Sequence, residues 1–576
     1  MTKSMHRLIR HIVPLVNERN VYMSASDKKR VRKAEMAELL TERQRKEKAE
    51  AKKLKVQTIT FVTAMILVVC IALGTLGIRA FNQAGIVERT TIAATVGDHK
   101  INSIEMNYFY KDAISSQYNQ WYQQYPENTD LYIQMLYNLD PTKSLATQPY
   151  SEEDDTTWAE HFIQQALEDA KSTYAIYDKA MSENFKLSEE KQAELNDTIA
   201  YNEYYASMYG YSNVDSYLRA NYGNGASAKS YNKYLETLMV TYAYSADYAE
   251  SLDFDDTAIR EYDAEHPNEY DSFTYTLSHL SYSLFLGEGT KDEKGNVTYT
   301  EEEKDAARAK AKEVADAIAL ATSEEDFKKL VSELEVNKDK EQVTAKKYED
   351  TLYSEIMSVA REWISSADRA ENETTVIEST TGSGDDKVVN GYYVVMFHGR
   401  NENKNFLTNV RHLLVKFEGG TKDKDGNTVY SDAEKATAKA EAEGYLKTWQ
   451  EGEKTEESFI ELVKKHSDDS SKETGGLFEN ISPASNYVKN FLNWSIDPAR
   501  QVGDAEVIES EYGYHVMYFD SYADMTYRDT MINATLESEA YDKWYKEIVD
   551  AVTLTEGDTS KLPQDIVLSS GSTTAQ

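Results

Sequence analysis

One unusual stretch is written twice. "GTKDEKGNVTYT" spans Gly289–Thr300, and "GTKDKDGNTVYS" spans Gly420–Ser431, 131 residues later. An internal repeat constrains a fold strongly, because each copy must be one supersecondary unit. The flanks repeat as well. "YTLSHLSYSLFLGEG" and "NVRHLLVKFEG" precede the two loops as short apolar runs suited to strands. "TEEEKDAARAKAKEVADAIAL" and "SDAEKATAKAEAEGYLKTWQEG" follow them with helical spacing, and Ser431 is the expected N-cap of the second. "SEEDFKKLVSEL" matches "EESFIELVKKHS", and "VVNGYYVVMFHGR" matches "SEYGYHVMYFDS". The loop itself is turn chemistry, since Asp-Gly-Asn tolerates positive φ. It is not a calcium loop: Gly426 comes too early and no Glu stands at the twelfth position. The second copy reads as β-α-α-α-β-β. Two tandem α+β domains with antiparallel sheets are expected, at 270–400 and 405–522.

The remaining chain is divided by charge. Up to Lys55 it carries 16 Lys/Arg and 7 Asp/Glu, and the rest carries 47 and 92. A basic head and an acidic body belong in different surroundings. Between them lies "TITFVTAMILVVCIALGTLGI" (Thr58–Ile78), 21 residues without a charge. That is the length of one membrane-spanning helix. The basic flank places 1–57 in the cytoplasm and the chain after Arg79 outside it, in a single-pass arrangement. A cleaved signal peptide fits less well, because 57 residues precede the apolar run. Cys70, in that run, is the only cysteine, so no internal disulfide is available.

Residues 79–269 open with a strand and turn, "TTIAATVGDHKI", and continue as Tyr-rich segments with helical spacing. Tyr has an apolar body and a polar tip. The tyrosines either line a groove that holds unfolded chains or fill the core and surface of an acidic protein. Thr90–Asp271 contains no nucleophile constellation, metal-ligand spacing or phosphate loop. No basic patch follows the apolar run, so nucleic acid is not expected as a partner. Within 523–576, Tyr527–Val552 is expected to be one helix, and the Ser/Thr-rich end after Pro563 is expected to be loose.

Within 405–522 the residues become specific. "RHLLVK", "HSDDSS", "GG", Phe491 and "YGYHVM" resemble the parvulin family of peptidyl-prolyl cis/trans isomerases. The whole layout resembles the exported PrsA- and SurA-like foldases. It implies an N-terminal chaperone-like region, folding clients that are unfolded exported proteins, and no cofactor. By that resemblance the paired histidines fall on His412 and His515, the acidic position on Asp469, and the hydroxyl on Ser510. Leu414, Tyr487, Phe491 and Trp494 fall at the proline pocket. Tyr487 stands where the family carries Met, and "GGLF" stands for its "GGDLG". The first copy departs further. Tyr393 stands in the place of His515, and either Ser281 or, with a two-residue slip, His279 in that of His412. It is expected to keep the fold without the isomerase site.

Overall fold

The computed structural model describes residues 77–568, apart from 152–154, 292–294, 339–341, 383, 385–386 and 425, together with scattered residues between 24 and 75. Cys70 and nine other residues of Thr58–Ile78 lie outside the described residues. Among the described residues no helix is long and apolar enough to cross a membrane. The chain divides into two compact units, Met1–Ala246 with Tyr545–Gln576, and Asp247–Trp544.

In the first unit, β1 (Ile92–Val96) and β2 (His99–Asn102) form a hairpin around Gly97 at φ 52. Helix α1 (Ser103–Gln124) starts where Asn102 caps it, accepting from the amides of Ile104 and Glu105. Thr157 and Glu160 form a capping box at the start of α2 (Trp158–Ser182), and α3 (Glu189–Met208) follows. Tyrosine fills both core and surface. Tyr108, Tyr110, Tyr174, Tyr231 and Tyr234 are buried in the core, whereas Tyr201, Tyr204 and Tyr209 stand exposed along α3.

The end of the chain corrects an expectation. A terminal strand, Leu554–Glu556, pairs with β1. Beyond it Leu562, Ile566 and Leu568 are buried in the same core, and the Leu145 amide donates to the Ile566 carbonyl. Residues 563–568 are therefore packed, not loose. The Ser/Thr-rich stretch itself, residues 569–576, lies outside the described residues.

The second unit holds two four-stranded antiparallel sheets. The first contains β3 (Ser272–Ser281), β6 (Lys346–Leu352), β7 (Thr374–Thr381) and β8 (Val388–Asn401), in the order β6-β3-β8-β7. The repeated loop is a small hairpin, β4 (Thr290–Lys291) with β5 (Val297–Thr298). Helices α4 (Glu301–Ile318), α5 (Glu324–Ser332) and α6 (Ser358–Ile364) accompany this sheet. The second sheet contains β9 (Phe406–Lys416), β12 (Leu477–Ile481), β13 (Ala505–Glu509) and β14 (Gly513–Thr526), in the order β12-β9-β14-β13. Its loop is again a hairpin, β10 (Thr421–Lys422) with β11 (Thr428–Val429). Helices α7 (Asp432–Glu451), α8 (Glu456–His466) and α9 (Lys489–Ser495) accompany it. The expected single helix over Tyr527–Val552 is α10 (Tyr527–Asp550).

The repeat has a local cause. Gly289 and Gly420 have φ of 61° and 80°, and a Cβ on either would press on the far side of its own hairpin. Thr300 with Glu303 and Ser431 with Glu434 form capping boxes that start the next helix. Strand β12 was not anticipated. It is only five residues long with one fully buried side chain, too short to show alternation.

Side chains alternate across each strand. Leu413, Val415, Val516 and Tyr518 face α7 and α8. Val410, Met517 and Phe519 face the other way, into a core with Ile481, Phe491 and Trp494. His412 and His515 point to that second face.

Candidate active site

His412 lies on β9 and His515 on the adjacent β14, where Met517 pairs with His412 and His515 with Leu414. Both are buried, at 3% and 5% exposure. Their rings lie nearly parallel, 21° apart, and His412 Nδ1 is 2.8 Å from His515 Nδ1. Ser510 Oγ is 2.7 Å from His515 Nε2. At the other end, His412 Nε2 is 3.5 Å from Asp469 Oδ1 and 3.4 Å from Ser471 Oγ. The partners assign the protons. A carboxylate only accepts, so His412 carries its proton on Nε2 toward Asp469. His412 Nδ1 then accepts from His515 Nδ1, and His515 Nε2 accepts from the Ser510 hydroxyl. Burial, helped by the neighbouring His412, pushes His515 down to about 3, so it is neutral at physiological pH. The His412 ring beside Asp469 holds that carboxyl well below the usual range, with the Ser471 hydroxyl and amide adding to the effect.

Local structure places each group. The Ser467 hydroxyl accepts from the Leu414 amide, and the Asp468 amide donates to the Leu414 carbonyl, which ties the "HSDDSS" loop to β9. Asp469 then caps the short 3-10 turn Ser470–Thr474. The turn ends in Gly475 and Gly476, both with positive φ near 70°. Gly476 accepts from the His412 amide at 3.0 Å, and a Cβ there would lie 2.2 Å from the His412 carbonyl oxygen. Only glycine allows that approach.

Three aromatic rings gather beside the histidines. Phe478 and Phe491 meet the His412 ring edge-on at 5.0 and 5.4 Å, and Phe491 also meets His515 at 5.8 Å. Tyr487, 37% exposed, closes against both phenylalanines at 5.4 and 5.3 Å. The result is an apolar lining over a buried imidazole pair.

A family model for the PPIC-type PPIase domain, a rotamase, matches residues 412–521. The chain carries a parvulin-type peptidyl-prolyl isomerase domain. The match begins on His412 and takes in Asp469, Phe491, Ser510 and His515. Among solved structures, the chain is similar to the peptidyl-prolyl isomerase PrsA from Bacillus anthracis. That similarity has 20% identity and a TM-score of 0.16, over 26% of this chain and 59% of that one. It is also similar to PrsA from Bacillus subtilis, with 12% identity and a TM-score of 0.21 over 70% and 90%. The foldase protein PrsA from Streptococcus pneumoniae is similar with 12% identity and a TM-score of 0.20 over 74% and 100%. The chain thus spans under two thirds of the first of these. No curated protein sequence matches it.

The rotamase domain brings together seven of the eight residues singled out from sequence. His412, Asp469, His515 and Ser510 form one hydrogen-bonded and electrostatic chain. Phe491 and Tyr487 belong to the aromatic lining, and Leu414 shares the His412 face of β9. Trp494 is the exception. It is 4% exposed, its Nε1 donates to Glu506 on β13, and its ring lies against Phe519 and the Arg500 guanidinium. It braces the core beneath the lining and does not reach the histidines. Phe478 and Ser471 were missed. Phe478 is the phenylalanine of "GGLF", visible only as a departure from the family pattern. Ser471 ends the "HSDDSS" stretch, where no spacing rule distinguishes it from its neighbours. Among the described residues no group of His, Cys, Asp and Glu is placed to hold a metal ion.

Proposed function

We propose that this chain is a membrane-anchored foldase that catalyses cis/trans isomerisation of X–Pro bonds in exported proteins and also holds unfolded clients. The observation that carries it is the chain Ser510–His515–His412–Asp469 set beneath Phe478, Tyr487 and Phe491. Turning an X–Pro bond crosses a barrier of about 20 kcal/mol, because the C–N bond has partial double-bond character. No covalent bond breaks. Catalysis then means binding the twisted amide better than either planar form. Amide resonance is lost in the twisted state, which makes it less polar and less penalised by an apolar site. The aromatic lining supplies that site and seats the proline ring. The buried histidine pair shapes its floor, and Asp469 and Ser510 hold the two rings by hydrogen bonds so that neither turns.

The reading extends to the rest of the chain. Thr58–Ile78 anchors it as a single-pass helix, with 1–57 cytoplasmic and the body from Arg79 onward outside the cell membrane. Residues 79–269 serve as the chaperone-like region, and 270–400 is a second parvulin fold without the site. Protease added to intact protoplasts should digest the body and spare the basic arm; a protected body would refute this topology.

One observation favours a second reading, a holdase without catalysis. Tyr201, Tyr204 and Tyr242 are each 60% exposed and Tyr209 57%, an unusual display of large rings. The deciding experiment is proline exchange in a model peptide, measured by NMR with the full chain. Faster exchange supports the isomerase. Suppressed aggregation of an unfolded protein with unaltered exchange would leave only the holdase.

A further inference from the structure

Arg411 precedes His412 on β9 and points to the opposite face, toward the helices. It is 8% exposed. Its Nε donates to Glu456 Oε1 at 3.0 Å and to Asp520 Oδ1 at 2.9 Å, and its Nη2 lies 2.8 Å from Glu456 Oε1. Glu456 opens α8, and Asp520 sits on β14. An ion cluster serving stability alone could stop there. Arg411 goes further: Nη1 donates to the carbonyls of Thr474 and Gly475, both at 3.3 Å.

Those two carbonyls lie where the 3-10 turn ends. Its beginning carries Asp469 and Ser471, the groups at His412 Nε2. The loop is therefore gripped from both sides of the sheet. Gly476 rests on the His412 backbone in front, and Arg411 draws in Thr474 and Gly475 from behind. A planar guanidinium suits this, since its fork can serve carboxylates and carbonyls at once. Burial and the adjacent Asp520 carboxylate push Glu456 upward, a strain that the Arg411 charge relieves.

The first sheet offers a natural contrast. Its Thr276 holds the register position of Arg411, and the Thr276 hydroxyl is 2.8 Å from His398 Nε2. Glu324 opens α5 as Glu456 opens α8. That copy has neither the arginine nor a paired-glycine loop, so the two features are present together and absent together.

We propose that Arg411 is a positioning residue of the isomerase site: by fixing the Thr474 and Gly475 carbonyls it sets the approach of Asp469 and Ser471 to His412. This rests on the isomerase reading above. The test uses the full chain, with kcat and KM for proline exchange in a model peptide measured for Arg411→Met, Arg411→Lys and His515→Tyr. The imidazole N–H proton signals are recorded in parallel. Arg411→Met should lower kcat about tenfold or more with KM nearly unchanged, because small displacements of catalytic groups are costly. The His412 N–H signal should shift with it. Arg411→Lys restores the charge between Glu456 and Asp520 but not the fork, so it should recover melting temperature without recovering kcat. A folded Arg411→Met with wild-type kcat and an unshifted signal would overturn the proposal. So would full rescue by lysine. Should Arg411→Met not fold, unchanged kcat in Arg411→Lys refutes it. If His515→Tyr keeps its rate, the isomerase reading falls and this proposal with it. If His515→Tyr loses its rate and both Arg411 variants keep theirs, positioning alone is refuted.

Discussion

Two sheets in this protein share one strand order, one hairpin and one set of helix caps, yet their equivalent faces differ in kind. Gly391 and Gly513 mark the common register, since a Cβ on either would strike the backbone carbonyl of the facing strand. Counting along the ladders from these glycines, Leu277 takes the place of His412 and Tyr393 that of His515. Neither Ser281 nor His279 is the counterpart expected from sequence. Ser281 pairs with Gly391 itself, and His279 is exposed and stacks on Tyr393. Loop spacing was a poor guide because the strand-to-hairpin connections differ in length. Ser379, paired with Gly391, keeps the place of Ser510, whereas Ala360, third in α6, stands for Phe491, third in α9. The first face is hydrocarbon core, with Leu277, Val395, Phe397, Ile356 and Ile364 packed together. Strand pairing, turn glycines and even the serine can thus be kept while the two imidazoles of the site are exchanged for Leu277 and Tyr393. The scaffold depends on backbone geometry, and the chemistry on a few side chains of one face.

The largest test of this comparison is His515→Tyr, which writes Tyr393 into the rotamase domain. Proline exchange should fall roughly a thousandfold, about 4 kcal/mol, with the circular dichroism spectrum unchanged. The reverse exchange, Leu277→His with Tyr393→His, should create no activity, because Ile356 and Ala360 stand where the lining has Tyr487 and Phe491, and no glycine pair lies between Ser332 and Lys346.

Next is Phe491→Ala, which copies Ala360. It opens a cavity beside both histidines and should cost about 3 kcal/mol in denaturant unfolding of the domain. Ala360→Phe should destabilise the first sheet as well, by overpacking. If either change were neutral, the equivalence of α6 and α9 would be lost.

Acid provides a third test. His515 titrates near 6.5 when unfolded but is depressed to about 3 when folded. The unfolded chain therefore binds the proton first. The stability due to this group is complete above about pH 6.5 and falls as pH drops toward 3, by at most about 1.4 kcal/mol per pH unit. Asp469 acts in the same direction at lower pH. Unfolding midpoints at pH 7.5, 6.5 and 5.5 should show this slope, and His515→Gln should flatten it.

The smallest effect should be shared. Gly289→Ala and Gly420→Ala each force a side chain into left-handed backbone, at about 1 kcal/mol. Equal losses in thermal melts would confirm that the hairpin serves both copies alike. A loss of proline exchange with Gly420→Ala alone, without loss of stability, would instead attach the hairpin to the site.

Features readable along the chain are local or repeated. The hairpin turn, the Ser431 cap and the α10 helix were legible, because turn preference and helical period are properties of neighbours along the chain, and the His412, Asp469 and His515 positions came from the parvulin resemblance. The tertiary structure decided what depends on register and reach. It placed Leu277 opposite Val395, drew Phe478 and Ser471 to His412, turned Trp494 away to Glu506, and seated Leu562, Ile566 and Leu568 in a core whose other residues lie some 400 positions earlier. Arg411 bonds to groups 45, 63, 64 and 109 residues distant. No local preference encodes such contacts, since they form only when the strands pair and their alternating faces are assigned.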